Sequence, residues 1–160
     1  MPMDKNDTKI NILIVSLNDT FSNKVAISLA DRLDMFVVDC YQMIVYDLTN
    51  PKEVLEKCGI EYFKKRERSV IKHCGEFNNT VISISYDLFK DHIELFSKSI
   101  IFYLRLPEEK VEKVINKIDY KNRDENLKKI VSIIIENDKC LTTQSVNKIT
   151  EKLGELYENC

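Results

Sequence analysis

Short apolar runs that alternate with segments of helical period constrain the fold of this chain more than any other feature. Residues 10–15 read Ile-Asn-Ile-Leu-Ile-Val, a run too short for a helix and too apolar for a solvated edge strand. After a polar break at residues 16–20, apolar side chains recur at helical spacing over residues 21–33. The pattern predicts a central strand followed by a helix, with Asp19 or Thr20 as its N-cap.

The same alternation continues along the chain. Further short apolar runs predict strands at residues 36–38, 80–85 and 99–104, with a last strand near residues 140–142. The segments between them show helical spacing, as the crossover connections of a parallel sheet require. We therefore predict one α/β domain over residues 10–160, an open and mostly parallel sheet of about five strands with helices on both faces.

Prolines and charged residues divide the predicted helices. Pro51 and Pro107 both suit a first helical turn. Helical spacing from Pro107 stops at a charged break, residues 119–124, and resumes over residues 127–134. The last helix is predicted to face inward with Val146, Ile149, Leu153 and Leu156.

The composition excludes some partners and names none. The 160 residues carry 24 Lys and Arg against 26 Asp and Glu, so a net charge of −2 gives no field that would attract nucleic acid or anionic lipid. Residues 1–9 are polar and are expected to be disordered or loosely ordered, and no apolar run approaches the roughly 20 residues of a membrane span. We expect a cytoplasmic protein without nucleic-acid or membrane partners.

The cysteines and histidines predict no metal site. Cysteines stand at positions 40, 58, 74, 140 and 160, an odd number without a Cys-x-x-Cys pair. The apolar neighbours of the first four predict buried, reduced thiols, so that only Cys160 is expected to be exposed. His73 and His92 have no second ligand at metal-binding spacing and are predicted to lie on polar helix faces.

The order of segments over residues 10–157 resembles that of the shikimate kinase family. Residues 11–15, 30–33 and 37–39 are similar to that family's first strand, P-loop helix and acceptor-site strand. The most specific stretch is residues 59–71, which resembles the family's signature of a Gly, a Phe-Arg pair and a Glu. The resemblance implies a P-loop NTPase-like fold and, in an active member, transfer of the ATP γ-phosphate to shikimate.

The nucleotide loop departs from the pattern of this family. A P-loop reads Gly-x4-Gly-Lys-Ser/Thr, because backbone amides wrap the phosphates while the Lys reaches the outer ones and the hydroxyl holds magnesium. Residues 16–23 read Ser-Leu-Asn-Asp-Thr-Phe-Ser-Asn and contain no glycine. Phe21, Ser22 and Asn23 stand where the last loop Gly, the Lys and the hydroxyl belong, and Asp19 would repel phosphate. The predicted degenerate loop comprises Asp19, Thr20, Phe21, Ser22 and Asn23.

The acceptor site is also incomplete. Asp39 matches the first carboxylate of the family's Asp-x-Asp, whereas Tyr41 replaces the second. Lys64 stands for the arginine that binds the shikimate carboxylate, although a lysine cannot form the bidentate fork. Glu67 keeps the place of the glutamate that positions that arginine. The simpler interpretation of Lys64 and Glu67 is a surface ion pair, with Asp39 as an ordinary strand-end residue.

Two further motifs of the family are absent. Ser85-Tyr86-Asp87 replaces the Gly-Gly-Gly turn after the third strand, so side chains occupy the space where backbone would approach a substrate. A second family arginine falls near Val131 or Ser132. One basic cluster could contact an anion or be a solvated helix face, and it consists of Lys64, Lys65, Arg66, Arg68 and Lys72.

These departures favour a pseudokinase that keeps the fold as a platform for protein or ligand binding, with no catalytic residue and no cofactor. The alternative is a divergent shikimate kinase that uses ATP and magnesium, with Asp39 near the metal and Lys64 on the acceptor. A third interpretation is a small-ligand binder that stacks its ligand on Tyr41 and Tyr86.

Overall fold

The computed structural model describes residues 10–111, 116–139 and 141–158. The strands are β1 (Asn11–Ser16), β2 (Phe36–Asp39), β3 (Thr80–Ile84), β4 (Ser99–Arg105) and β5 (Ile133–Glu136). The helices are α1 (Asp19–Leu33), α2 (Cys40–Leu48), α3 (Pro51–Glu76), α4 (Tyr86–Asp91), α5 (Lys117–Ile130) and α6 (Thr142–Glu158). The predicted loose segment 1–9 and the thiols of Cys140 and Cys160 lie outside the described residues.

The sheet confirms the predicted architecture. The five strands lie in the order β2-β3-β1-β4-β5, and every neighbouring pair is parallel. All six residues of β1 are buried, because strands β3 and β4 flank it and helices cover its faces. The carboxyl ends of β1, β2 and β3 therefore meet at one edge of the sheet, together with the starts of α1, α2 and α4.

The region after β4 differs from the sequence prediction. Pro107 precedes a short 3₁₀ turn, Glu108–Lys110, and residues 112–115 of the predicted helix lie outside the described residues. The predicted charged break at residues 119–124 lies within α5: Asp119 and Lys121 are exposed on its outer face, whereas Asp124 is buried on its inner face. The last strand is β5, four residues long, and residues 140–142 contain no strand within the described part.

The error at β5 has a simple origin. Ile133–Glu136 reads Ile-Ile-Ile-Glu, and so short an apolar run fits a buried strand as well as one turn of a helix. Pairing with β4 decides between them, because Tyr103 aligns with Ile134 in the sheet register. Ile134, predicted to continue a helix, therefore lies in a strand.

Helix α3 bends at Gly59. Pro51 occupies the first turn, as predicted, and Asn50 caps the helix by accepting the amide of Glu53. Gly59 has φ 84° and ψ 167°, a backbone conformation that residues with a Cβ atom rarely adopt. The helix consists of two segments that meet at this residue, so the basic surface of α3 begins just after the bend.

Two expectations about single residues were wrong. Cys40 and Cys74 are buried free thiols as predicted, but Cys58 is exposed because it lies on the outer face of the first segment of α3. His92 is buried rather than on a polar face, and its Nδ1 lies 2.9 Å from the carbonyl oxygen of Leu88 at the end of α4. Among the described residues, no helix combines the length and apolar content that crossing a bilayer requires.

Candidate functional site

The junction between β1 and α1 is the place where a P-loop would lie. β1 ends at Ser16 and α1 begins at Asp19, so the connection consists of Leu17 and Asn18 alone. Residues 19–23, which would belong to the loop and its first helical positions, are wound into the first turns of α1. Residues 16–23 therefore do not form a loop that projects amides around an anion.

Hydrogen bonds within the junction hold this short connection. The side chain of Asn18 accepts the amide of Phe21 at 3.1 Å, which makes Asn18 the N-cap in place of the predicted Asp19 or Thr20. The backbone carbonyl of Asn18 accepts the amide of Ser22 at 3.0 Å. Asn caps helices as well as Asp does, so the asparagine in the sequence was a signal that the prediction overlooked.

The side chains at the Gly and Lys positions of a P-loop face inward. Phe21 is 8% exposed and belongs to the hydrophobic core, whereas Ser22 is fully buried. The hydroxyl of Ser22 donates to the carbonyl oxygens of Asn18 and Asp19, both at 3.3 Å. Lys24, two positions after Ser22, is exposed on the outer side of α1. No cation from α1 thus replaces the missing P-loop lysine.

Acidic residues surround the start of α1. The pKa of Asp19 is raised, first because neighbouring atoms remove water from its carboxylate, and then because Asp39 and Asp87 add negative charge. Arg123 opposes this effect from α5. Three carboxylates, opposed by one guanidinium, therefore act on the place where a kinase would hold phosphate. Among the described residues, however, no group of three or more Asp, Glu, His and Cys could hold a metal ion.

Asp39 is the N-cap of α2. Its Oδ1 accepts the amides of Tyr41 at 2.9 Å and of Gln42 at 3.3 Å, as an N-cap carboxylate does. Tyr41, which replaces the second carboxylate of the family motif, is 59% exposed in the first turn of α2. Asp39 is thus the last residue of β2 and the N-cap of α2.

Tyr86 lies in a small cluster with residues of α5. Ser85 caps α4 by accepting the amide of Leu88, and Tyr86 follows it with only 9% of its surface exposed. The guanidinium of Arg123 lies 5.1 Å from the centre of the Tyr86 ring, and the Lys90 ammonium lies 5.4 Å from it. The ring of Tyr86 is therefore occupied by the protein's own cations, which argues against its predicted use as a stacking group.

Arg123 is the site residue that the sequence prediction missed. The family's second arginine was sought near Val131 or Ser132, which lie between α5 and β5. The structure instead brings Arg123 of α5 to Tyr86 and to the charge of Asp19. It was hidden because the sequence around it was interpreted as a charged break and not as a helix.

Lys64 and Glu67 do not form the predicted ion pair. Lys64 is exposed on α3, whereas Glu67 is 9% exposed and makes no hydrogen bond or ion pair with any described residue. Glu67 shares the inward face of the helix with Val70, Ile71 and Cys74, which follow it at spacings of three, four and seven residues. The two side chains therefore lie in different environments.

The basic surface of α3 is partly neutralised. Arg66 binds Asp47 of α2 at 2.8 Å, and Arg68 binds Glu94 at 2.9 Å. An open groove of about 630 Å³ follows the same surface, lined by Ile60, Glu61, Tyr62, Lys64, Lys65 and Arg68. Both arginines of the basic cluster form ion pairs within the protein. A solvated helix face therefore accounts for most of this cluster.

The fold and the position of the site define an α/β domain with the architecture of a small P-loop kinase. The chain belongs to the shikimate kinase family, whose family model, described as shikimate kinase, matches residues 23–154. This match is shorter than the resemblance over residues 10–157 described from the sequence. It leaves out β1 and the first four residues of α1. A comparison with curated proteins finds no match.

Solved structures agree on the fold. The shikimate kinase from Aquifex aeolicus has a TM-score of 0.73 with 18% identity, and covers 94% of this chain and 99% of its own. The shikimate kinase from Bacteroides thetaiotaomicron has a TM-score of 0.72 with 16% identity, over 91% of this chain and 98% of its own. The enzyme from Acinetobacter baumannii, solved with shikimate, has a TM-score of 0.68 with 16% identity, over 93% and 94%.

Proposed function

We propose that this protein is a catalytically degenerate member of the shikimate kinase family that acts by binding a protein or ligand and does not transfer phosphate. The observation that carries the proposal is the two-residue connection between β1 and α1. With residues 19–23 wound into the helix, at most the amides of Asp19 and Thr20 remain free to meet an anion.

The chemistry of phosphoryl transfer supports this proposal. Transfer depends almost wholly on positioning and on electrostatic stabilisation of the phosphates. Loop glycines, the lysine and the magnesium ligand are absent together, and Asp19 adds a negative charge to the same place. The residues at the junction between β1 and α1 are not suited to bind a nucleoside triphosphate with its magnesium ion. The loss therefore concerns the mechanism itself and not its efficiency.

A divergent shikimate kinase remains the second candidate, because the acceptor side is better kept than the nucleotide side. Asp39 and Glu67 hold their family positions, and Arg123 lies beside the same edge of the sheet. In that case Asp39 would lie near magnesium and Lys64 would meet the acceptor carboxylate. The N-cap hydrogen bonds of Asp39 and the burial of Glu67 have structural explanations, so we favour the first candidate.

Binding of magnesium-ATP decides between the two candidates. We expect a dissociation constant beyond about 1 mM, equivalent to less than about 4 kcal/mol of binding. Calorimetry and thermal unfolding with magnesium-ATP measure it, with an active shikimate kinase as the positive control. A rise of several degrees in the unfolding midpoint at about 1 mM nucleotide, lost in Thr20→Ala or Ser22→Ala, would contradict the proposal.

An activity assay and a search for partners complete the test. Protein mixed with ATP, magnesium and shikimate should release no ADP above the level of a sample without protein. Recovery of native complexes would then identify what the platform binds. A cytoplasmic location is part of this proposal and is supported by the free, buried thiols of Cys40 and Cys74.

A further inference from the structure

The outer edge of the sheet at β2 is largely apolar, and no other described strand pairs with it. Phe36 is 71% exposed and Val37 is 41% exposed, although both lie in a strand. Next to them a groove of about 420 Å³ separates β2 from α2, lined by Val37, Val38, Asp39, Gln42, Met43, Val45 and Tyr46. Tyr46 is 85% exposed on the rim of this groove. This edge strand contains no lysine or proline, and its one charged residue, Asp39, stands at its end, so Phe36, Val37 and Val38 have little protection against pairing.

In the middle of β2, one residue has backbone N–H and C=O groups that point away from β3. The amide of Phe36 donates to the carbonyl oxygen of Asn79 at 2.9 Å, and the register pairs Phe36 with Thr80 of β3. Backbone groups of alternate residues point to opposite sides of a strand, so Phe36 and Val38 are directed to β3. Val37, between them, directs both its N–H and its C=O away from the sheet.

We propose that this edge binds a second copy of the same chain, with the two β2 strands antiparallel about a twofold axis at Val37. In that register the two Val37 residues exchange both N–H···O=C bonds, as a hydrogen-bonded antiparallel pair does. Phe36 of each copy lies opposite Val38 of the other. Asp39 lies opposite Met35, so no two carboxylates face each other across the axis.

The symmetry and the exposed area favour a second copy as the partner. A twofold contact needs a surface that complements itself, and this register places apolar side chains on apolar side chains twice. Covered aromatic rings bury about 150–250 Å² each, so Phe36 and Tyr46 offer roughly 250–400 Å² per copy. This is about half of the ~800 Å² per partner in a standard interface, so the contact belongs to the small, transient class and predicts a weak dimer.

Two variants and a control test the dimer by sedimentation velocity from about 5 to 500 µM. Val37→Pro removes the outward N–H, a change that edge strands tolerate. Phe36→Lys places a charge on the edge. Ile118→Lys is the control, since Ile118 is 75% exposed on α5, beyond the other side of the sheet. We expect both β2 variants to weaken dimerisation at least tenfold while the control behaves as the wild type.

Hydrogen exchange of the wild-type protein provides a second measurement that needs no variant. The Val37 amide should exchange rapidly in dilute protein and become protected as the concentration rises. A wild-type protein that stays monomeric throughout would overturn the proposal, as would a dimer that both folded β2 variants leave unchanged. Protection of Val37 that is the same at every concentration would mean that the chain covers its own edge, and would also overturn it. None of these outcomes depends on whether ATP binds.

Discussion

Asn18 determines how the chain leaves β1. Its side chain accepts the amide of Phe21, its backbone carbonyl accepts the amide of Ser22, and the Ser16 hydroxyl bonds both its amide and its carbonyl. These bonds satisfy groups that a P-loop would leave free for phosphate. A single polar residue therefore stabilises the short connection that separates this chain from an anion-binding loop.

Replacement of Asn18 by Ala should lower the free energy of unfolding by about 1 kcal/mol, because the N-cap hydrogen bond is lost. Thr20→Ala is the control, since Thr20 is exposed in the first turn and no described residue bonds its side chain. Denaturant unfolding measures both variants. An equal loss in the two proteins would show that the side chain of Asn18 stabilises the helix start no more than that of Thr20, and would contradict its role as the N-cap.

Helix α5 is joined to the sheet by a buried carboxylate. Asp124 accepts hydrogen bonds from Tyr103 and Arg105 of β4, and Lys128 lies 3.4 Å away on the same helix. Burial alone would raise the pKa of Asp124, but the hydrogen bonds from Arg105 and Tyr103 and the nearby cations outweigh it and lower the pKa. This is the reason why a segment rich in charges forms a helix that packs on strands.

Asp124→Asn should destabilise the protein by about 2–3 kcal/mol, because Arg105 loses its buried partner. Glu136→Gln is the control: Glu136 binds the same arginine, but its side chain is 57% exposed, so a loss below about 1 kcal/mol is expected. Urea unfolding of both variants at pH 7 measures the difference. Similar losses in both would show that the arginine's exposed partner matters as much as the buried one.

The same carboxylate sets a pH dependence. Because the folded-state pKa of Asp124 is lowered, its contribution is present above the unfolded-state value of about 4 and is lost as the pH falls below that value. The stabilities of the wild type and Asp124→Asn should therefore converge at acid pH. Parallel stability curves down to about pH 2 would contradict this assignment.

Two helical glycines give opposite predictions. A Cβ added to Gly75 of α3 would lie 2.1 Å from the Leu95 carbonyl oxygen, whereas one added to Gly154 of α6 would meet nothing within 4 Å. Gly75→Ala should cost more than about 2 kcal/mol, because backbone must move, and Gly154→Ala should gain about 0.5–1 kcal/mol from helix propensity. Thermal unfolding compares them. A stabilised Gly75→Ala would mean that α3 and the Leu95 segment are not in close contact.

At the scale of the whole molecule, the strand order places the buried strand β1 at the centre of the sheet and the exposed strand β2 at one edge. β1 lies between β3 and β4 and is buried throughout, whereas β2 borders only β3. The candidate site lies at the carboxyl ends of β1, β2 and β3, so it includes both the central strand β1 and the edge strand β2. The β1–α1 junction should thus remain ordered when β2 opens.

Amides of Ile12 to Val15 should be among the slowest to exchange, opening only with global unfolding at about 5–15 kcal/mol. Amides of β2 should exchange faster in dilute protein, because β2 has one neighbouring strand. Native-state hydrogen exchange measures both at the same concentration. Exchange of β1 as rapid as that of β2 would contradict the central position of β1.

The sequence by itself determined the fold class, the central position of β1 and the absence of a glycine loop. These follow from local patterns: a β-branched apolar run, helical spacing, and the residue types at positions 16–23. The tertiary structure alone decided that Asn18 caps α1, that Arg123 meets Tyr86, that Glu67 is buried and that Ile134 lies in a strand. The physical reason is that each of these depends on which element packs against the residue, and a charged or short apolar segment does not reveal that neighbour until β4, α5 and the sheet are assembled.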